Sequence, residues 1–157
     1  MKNIKSRKAF TMIELVFTIV IIGILAAVAI PRLAATRDDA QITKARILVA
    51  SVRNALAMER QKRILRGEFK AIGEVGDSTN VFGNFYDVDG VDTTHSVLEY
   101  SMASEPSKKD KWSFNGGKYT FNSTLGDVIF EVVNGKFECD TTKTTNTNAN
   151  GCKQLTN

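Results

Sequence analysis

The hydrophobic positions of this chain follow three different patterns. The first is a predominantly apolar run at residues 10–30. These 21 residues include no Lys, Arg, Asp, Asn, Gln or Pro, and Glu14 is their only ionisable side chain. A helix needs about 20 such residues to cross a bilayer, so the run predicts a membrane-spanning helix. A carboxylate near one end of a span costs about 2–3 kcal/mol on insertion scales, and the run offers it no basic partner.

After Pro31 the apolar residues recur at helical spacing. Five of them stand 3, 4, 3 and 4 positions apart: Ile42, Ala45, Val49, Val52 and Leu56. This period is typical of an amphipathic helix, and Gly67 predicts where the helix stops. We therefore predict one long helix that ends at Arg66, apolar on every face over residues 10–30 and on one face over residues 31–66. Pro31 removes a backbone donor, which predicts a kink or local unwinding.

Alternation of apolar and polar residues, which is typical of β-strands, begins near residue 111. Residues 112–114 and 118–122 carry aromatic side chains at alternate positions, and residues 128–133 alternate again. Asn134-Gly135 is a strong hairpin signal and precedes a return strand at residues 136–139. The pattern predicts a four-stranded antiparallel meander packed on the helix stripe. The predicted fold class is α+β: a long N-terminal helix with a small antiparallel β-sheet head.

Residues 68–106, between the helix and the meander, show neither period. They are rich in Gly, Asp and Asn, with only short apolar pieces between them. Such composition marks turns and loops. We therefore predict turns or a short helix over this segment.

The formal charge of +4 changes little in this picture. Four of the 21 basic residues precede the apolar run, in a stretch without acids: Lys2, Lys5, Arg7 and Lys8. The remaining 17 basic residues balance the 17 acidic ones, so the rest of the chain has no bulk attraction for polyanions. A second basic cluster, at residues 53–66, has no interleaved aromatic residues that would stack on bases. Nucleic acid is therefore not a predicted partner.

Two cysteines, Cys139 and Cys152, flank a polar stretch rich in Thr and Asn near the C-terminus. An even count behind an apolar N-terminal segment that resembles an export signal predicts a disulfide bond. Closing a loop of this length stabilises a fold by about 3 kcal/mol in the chain-entropy model. The alternative is two free thiols in a reducing compartment. A disulfide also places the C-terminal side of the span in an oxidising space.

The motif Phe10-Thr11-Met12-Ile13-Glu14-Leu15-Val16, with a basic leader before it and an apolar run after it, resembles the N-terminus of type IV pilins and type II secretion pseudopilins. The resemblance implies that a prepilin peptidase cuts between Ala9 and Phe10 and that the new amino group of Phe10 is methylated. Ala9 departs from the glycine that usually precedes the cut. The resemblance also implies a partner for Glu14: the Phe10 ammonium of a neighbouring subunit in a filament core.

The resemblance divides the chain into five parts. Residues 1–9 are the leader, and residues 10–30 are the transmembrane and filament-core half of the helix. Residues 31–66, which begin with Pro31, are its amphipathic half. Residues 67–110 are a variable loop region, and residues 111–157 are the antiparallel sheet with a C-terminal disulfide loop. Such a subunit is expected to cross the bacterial inner membrane once, with its head in the periplasm, and to assemble with other pilin-like subunits.

The predicted function is structural: a subunit of a pilin-like periplasmic filament, with a type II secretion pseudopilin slightly favoured over a type IV pilus or DNA-uptake pilin. Two alternatives of another class stay open. One is a single-span anchored binding module. The other is a secreted soluble protein that begins at Ile30, released by ordinary signal cleavage after Ala27-Val28-Ala29. We predict no enzymatic activity, because His95 is the only histidine and no nucleophile motif accompanies it.

Three acids surround Gly90, namely Asp87, Asp89 and Asp92. Carboxylate oxygens suit a hard cation such as Ca²⁺, and some type II secretion pseudopilins bind calcium in a loop of the head. The spacing is not that of an EF-hand, because the twelfth position is Leu98 rather than Glu. We therefore predict an acidic surface turn, keep the three acids as calcium candidates, and assign no cofactor.

Overall fold

The computed structural model describes residues 10–123, 126–141 and 149–156. Helix α1 spans Met12–Arg66 and helix α2 spans Ala149–Thr156. Eight strands lie between them: β1 Ile72–Gly76, β2 Asn80–Asp87, β3 Asp92–Ser96, β4 Met102–Ala103, β5 Lys111–Asn115, β6 Lys118–Ser123, β7 Gly126–Val133 and β8 Lys136–Cys139. The chain divides into two compact units, Met1–Asp39 and Ala40–Asn157. The second unit is called the head below.

The described part of the first unit is residues 10–39, which end in the N-terminal part of α1, and we call it the bare segment. Its large apolar side chains are exposed, and no residue of its most apolar 18-residue window is buried within the chain. The helix continues through Pro31. A helix that is apolar on every face needs lipid or other protein around it.

In the head, α1 buries the stripe that its spacing predicted. Ala45, Val49, Val52 and Leu56 are buried, and Ile42 is partly buried against them. Burial does not stop where the apolar residues stop. It continues at the same spacing through Glu59 and Arg63.

The helix ends as Gly67 predicted. Gly67 adopts φ +77°, a left-handed conformation that costs a glycine little. The Gly67 amide donates to the Ile64 carbonyl at 3.0 Å, and the Glu68 amide donates to the Arg63 carbonyl at 2.9 Å. These two bonds form a Schellman cap, which satisfies carbonyls that the last helical turn leaves unpaired.

Strands β5 to β8 form the predicted antiparallel meander in sequence order. Phe114 pairs with Tyr119 across β5 and β6, and Phe121 pairs with Val128 across β6 and β7. The Asn134-Gly135 turn joins β7 to β8 with both residues at positive φ, as a type I′ hairpin requires. Side chains of the meander and of the α1 stripe belong to one hydrophobic core. The α+β prediction is therefore confirmed.

The prediction of turns or a short helix over residues 68–106 is wrong, because β1 to β4 form a second antiparallel sheet there. The register shifts within both the β1–β2 and β2–β3 pairs, so the sequence shows no clean alternation. Gly76 permits a tight backbone approach, since a Cβ there would lie 2.6 Å from the Asn80 carbonyl oxygen and the Phe82 nitrogen. Phe82 in turn stacks on Tyr119 with ring centroids 5.5 Å apart, which joins the two sheets.

The C-terminal segment is held by a covalent bond and a short helix. Cys139 and Cys152 form the predicted disulfide. Helix α2, which the sequence did not predict, buries Leu155, and Arg46 Nε of α1 donates to the Gln154 carbonyl at 2.7 Å. Gly and Asn within α2 disfavour a helix, so these tertiary contacts stabilise it. Most of the polar stretch before α2, residues 142–148, lies outside the described residues.

Candidate assembly site

The N-terminus of α1 is closed by a reciprocal pair of side chains. The Glu14 amide donates to Thr11 Oγ1 at 3.4 Å, and Thr11 Oγ1 donates to Glu14 Oε2 at 3.3 Å. The Thr11 amide lies 3.5 Å from the same carboxylate oxygen. Thr followed three residues later by Glu is a capping box, which satisfies amides that a helix start leaves unpaired. The Thr-x-x-Glu spacing that indicates this box is already present in the sequence.

The capping box stands at the beginning of the bare segment. Phe10, directly before it, is 79% exposed, and the apolar side chains that follow are exposed as well. Among the described residues, α1 is the one helix that is long and apolar enough to cross a membrane. Within that same part of the chain, Glu14 has no salt-bridge partner. An exposed apolar surface of this extent marks a region that lipid or protein covers.

A second charged cluster lies in the head, at the end of α1. Arg63 Nε lies 3.2 Å from Glu59 Oε1, and Arg63 Nη1 lies 2.7 Å from Asp87 Oδ1. Glu59 and Arg63 are both buried. Arg66 and His95 also approach Glu59 Oε1, at 3.4 and 3.5 Å. We call these five residues the buried ion cluster. It fastens the end of the helix to β2 and β3.

The same contacts place two of the three calcium candidates. Asp87 belongs to the buried ion cluster, and Asp89 Oδ2 lies 3.2 Å from Lys70 Nζ. Asp92 begins β3, and its side chain lies outside the described residues. Asp87 and Asp89 therefore each face a basic side chain in this structure.

Comparison with known proteins points to the N-terminal segment. Residues 4–30 match the family described as the prokaryotic N-terminal methylation motif. The chain is 33% identical over 101 residues to a fimbrial protein of Neisseria meningitidis serogroup A / serotype 4A, a match that covers 62% of this chain and 56% of the relative. It is 47% identical over 51 residues to the type IV narrow pilus major component PilA5 of Thermus thermophilus, which covers 32% of this chain and 44% of the relative. The motif and the two relatives support a protein of the type IV pilin family.

The matches to the two pilins span about half the length of each relative. No solved structure matches the chain at comparable significance. The match to the methylation motif, residues 4–30, includes the beginning of the bare segment, where the capping box lies.

The predicted site residues of this chain lie in different parts of the sequence. Phe10 and Glu14 lie within the matched motif, at the start of α1. Ala9 lies within the motif but outside the described residues, so the cut between Ala9 and Phe10 stays a prediction. Pro31 follows the motif directly and lies inside α1. The disulfide lies in the head, at the other end of the sequence.

Proposed function

We propose that this protein is a structural subunit of a type IV pilus. A prepilin peptidase cuts it between Ala9 and Phe10, the bare segment holds it in the inner membrane with its head in the periplasm, and the same segment then packs among its neighbours in the filament. The bare segment carries this proposal. Its exposed apolar side chains need a cover, which lipid supplies before assembly and the helices of other subunits supply afterwards.

Glu14 favours one axial position of neighbouring helices in this packing. After cleavage, Phe10 of a neighbouring subunit carries an ammonium group, which is opposite in charge to Glu14 and lies in a water-poor environment. Two unit charges ~4 Å apart attract by roughly 4 kcal/mol at an effective dielectric of 20, before their desolvation is subtracted. The attraction favours the axial position at which one subunit's first residue stands beside another's Glu14.

Two observations support a pilus over a secretion pseudopilus. The named relatives are a fimbrial protein and a pilus major component. The acidic loop, which favoured a pseudopilus through calcium binding, has Asp87 and Asp89 beside Arg63 and Lys70. Deleting this protein from its cells distinguishes a pilus from a secretion pseudopilus. Loss of sheared surface fibres with secretion intact supports the pilus, and loss of secreted enzymes with fibres intact supports the pseudopilus.

The subunit role is tested by Glu14→Ala in the full-length protein. We expect the variant to reach the membrane at the normal level and to form no filaments, because it lacks the charge that neighbours would pair with. Asp127→Ala removes an exposed carboxylate from β7 and serves as the control. An anchored binding module has no need of an acid in its span, so normal behaviour of Glu14→Ala would contradict the filament.

A further inference from the structure

One side of the head carries an apolar groove with a basic rim. It lies between α1 and β8, the edge strand of the meander, and has a volume of ≈ 460 Å³. Its lining combines apolar side chains with three basic ones and an acid: Leu56, Ile64, Arg53, Arg60, Lys136 and Glu138. We call it the helix–edge groove.

The basic rim of the helix–edge groove is available to a partner. Arg60 and Lys136 are exposed, and neither forms a salt bridge with another described residue. Arg53 Nε donates to the Phe137 carbonyl at 3.0 Å. This bond occupies a carbonyl of the edge strand, which opposes strand addition. The groove therefore suits an inserted side chain with a negative charge beside it.

A matching segment lies on the other side of the head. Val97 lines a cleft together with Met58 of α1, and Met102 lines another with Leu48. Between Val97 and Met102, Glu99 and Tyr100 are exposed, Tyr100 to 80%. Glu99 forms no salt bridge with another described residue.

The two surfaces flank the buried stripe of α1. At 3.6 residues per turn, the helix positions that line the groove, such as Arg53 and Arg60, lie to one side of the stripe. Met58 and Leu48, which line the clefts beside residues 97–102, lie to the other side. A contact between the groove of one copy and the Tyr100 segment of another is therefore not symmetric.

We infer that Tyr100 of one copy inserts into the helix–edge groove of the next copy, with Glu99 beside Arg60 and Lys136. The inference rests on the proposed filament function. An exposed Tyr is a frequent anchor in protein interfaces, and the opposite charges fix its orientation. Because donor and acceptor surfaces differ, the contact repeats from head to tail and builds an open filament rather than a closed pair.

A charge exchange in the full-length protein tests this contact. Arg60→Glu places an acid opposite Glu99, and Glu99→Arg places basic groups together, so each single variant is expected to lower the yield of sheared filaments about tenfold. The double variant R60E/E99R restores the attraction with its polarity reversed and is expected to return the yield to within about twofold of the unmodified protein. Lys109→Glu, an exposed position in neither surface, is the matched control.

The outcomes distinguish a failure of this contact from a failure of the proposed filament function. Recovery in the double variant supports the contact. The contact is overturned if the single variants assemble normally, or if the double variant gives as low a yield of filaments as the single variants. Either result leaves the proposed filament function standing. Absence of filaments from the unmodified protein overturns the filament and the contact together. Membrane level and N-terminal processing, measured for every variant, show whether a loss arises before assembly.

Cross-linking tests the direction of the contact. Ala57 lines the groove, and Ser101 is exposed beside Tyr100. With Ala57→Cys and Ser101→Cys in the same chain, a short bis-maleimide is expected to convert sheared filaments into a ladder of oligomers. Either single variant is expected to stay monomeric. Dimers from a single variant would overturn the head-to-tail arrangement, and no ladder from intact filaments would overturn the contact.

Discussion

Thr11 and Glu14 hold each other at the start of α1, with 3.3 Å between Thr11 Oγ1 and Glu14 Oε2 and 3.4 Å between the Glu14 amide and Thr11 Oγ1. The same carboxylate is the proposed partner of a neighbour's Phe10 ammonium. The two roles have different requirements. The cap needs a hydrogen-bond acceptor, which Gln supplies as Glu does. The intersubunit pair needs a negative charge.

Glu14→Gln is therefore expected to keep the helix start and lose the filaments. Thr11→Val is expected to weaken the cap by about 1 kcal/mol and to keep filaments, because the charge remains. Circular dichroism of the detergent-solubilised chain measures the helix, and the yield of sheared filaments measures assembly. Normal filaments from Glu14→Gln would show that the charge has no part in assembly.

Arg63→Met is expected to destabilise the head by about 3–5 kcal/mol, since it leaves Glu59 and Asp87 without the buried cation between them. Arg66→Met provides the control. The Arg66 side chain is 44% exposed, so its loss is expected to cost about 1 kcal/mol or less. Thermal unfolding of the detergent-solubilised full chain compares the two variants. Equal losses of stability would contradict the central place of Arg63.

Tyr119 ties the meander to the second sheet, because its hydroxyl oxygen accepts the Val75 amide at 2.7 Å. Burial raises the pKa of Tyr119 well above its usual value of 10.0, so the hydroxyl stays neutral. Tyr119→Phe leaves the Val75 amide unpaired and is expected to cost about 1–3 kcal/mol. Hydrogen exchange at Val75 should accelerate, while the exposed Tyr100→Phe leaves it unchanged. An unaltered Val75 exchange rate in Tyr119→Phe would refute the contact.

Asp77 makes the turn before β2 sensitive to acid. Hydrogen bonds from the Asn80 amide, and also from the Thr79 amide and the Tyr86 hydroxyl, lower the pKa of Asp77 below 3.8 against an opposing effect of burial. A lowered pKa in the folded state gives stability that is fully present above the unfolded value and is lost as pH falls through the folded value. We expect the melting temperatures of Asp77→Asn and the unmodified protein to differ at neutral pH and to converge below pH 3.8. A gap that stays constant with pH would contradict this.

The parts of the head that were predicted carry local signals. The α1 stripe repeats every three or four residues, and Asn134-Gly135 places the β7–β8 hairpin. Glu59 and Arg63 continue the spacing of the buried stripe. Because their side chains are polar, the apolar pattern of the sequence does not include them. Their burial depends on Asp87 and His95, which arrive from β2 and β3. A partner that distant in sequence leaves no local pattern.

The second sheet and α2 escaped prediction for a related reason. β2 contains Gly83 and a buried Phe82 at φ +57°, and neither favours a strand on its own. In α2, Gly151 lowers the helix propensity, whereas Cys152 and Leu155 are held in the core. Both elements form because contacts with the rest of the head outweigh their local preferences.

At the candidate assembly site, the motif around Phe10 and Glu14 was sufficient to indicate the resemblance to pilins. The capping role of Thr11 could also be predicted from the sequence, since the Thr-x-x-Glu spacing alone indicates it. The helix–edge groove could not be predicted from the sequence, because Arg60 and Lys136 come together only when β8 lies beside α1. No sequence pattern joins a helix to the last strand of a meander.

The most direct test of the account is the intact mass and N-terminal sequence of the protein recovered from native membranes and from sheared filaments. We predict a chain that begins with N-methylated Phe10, with Ala9 removed. A chain that begins at Ile30 would contradict it and indicate a secreted soluble protein. A chain that still carries its leader would contradict processing and indicate an uncut membrane anchor.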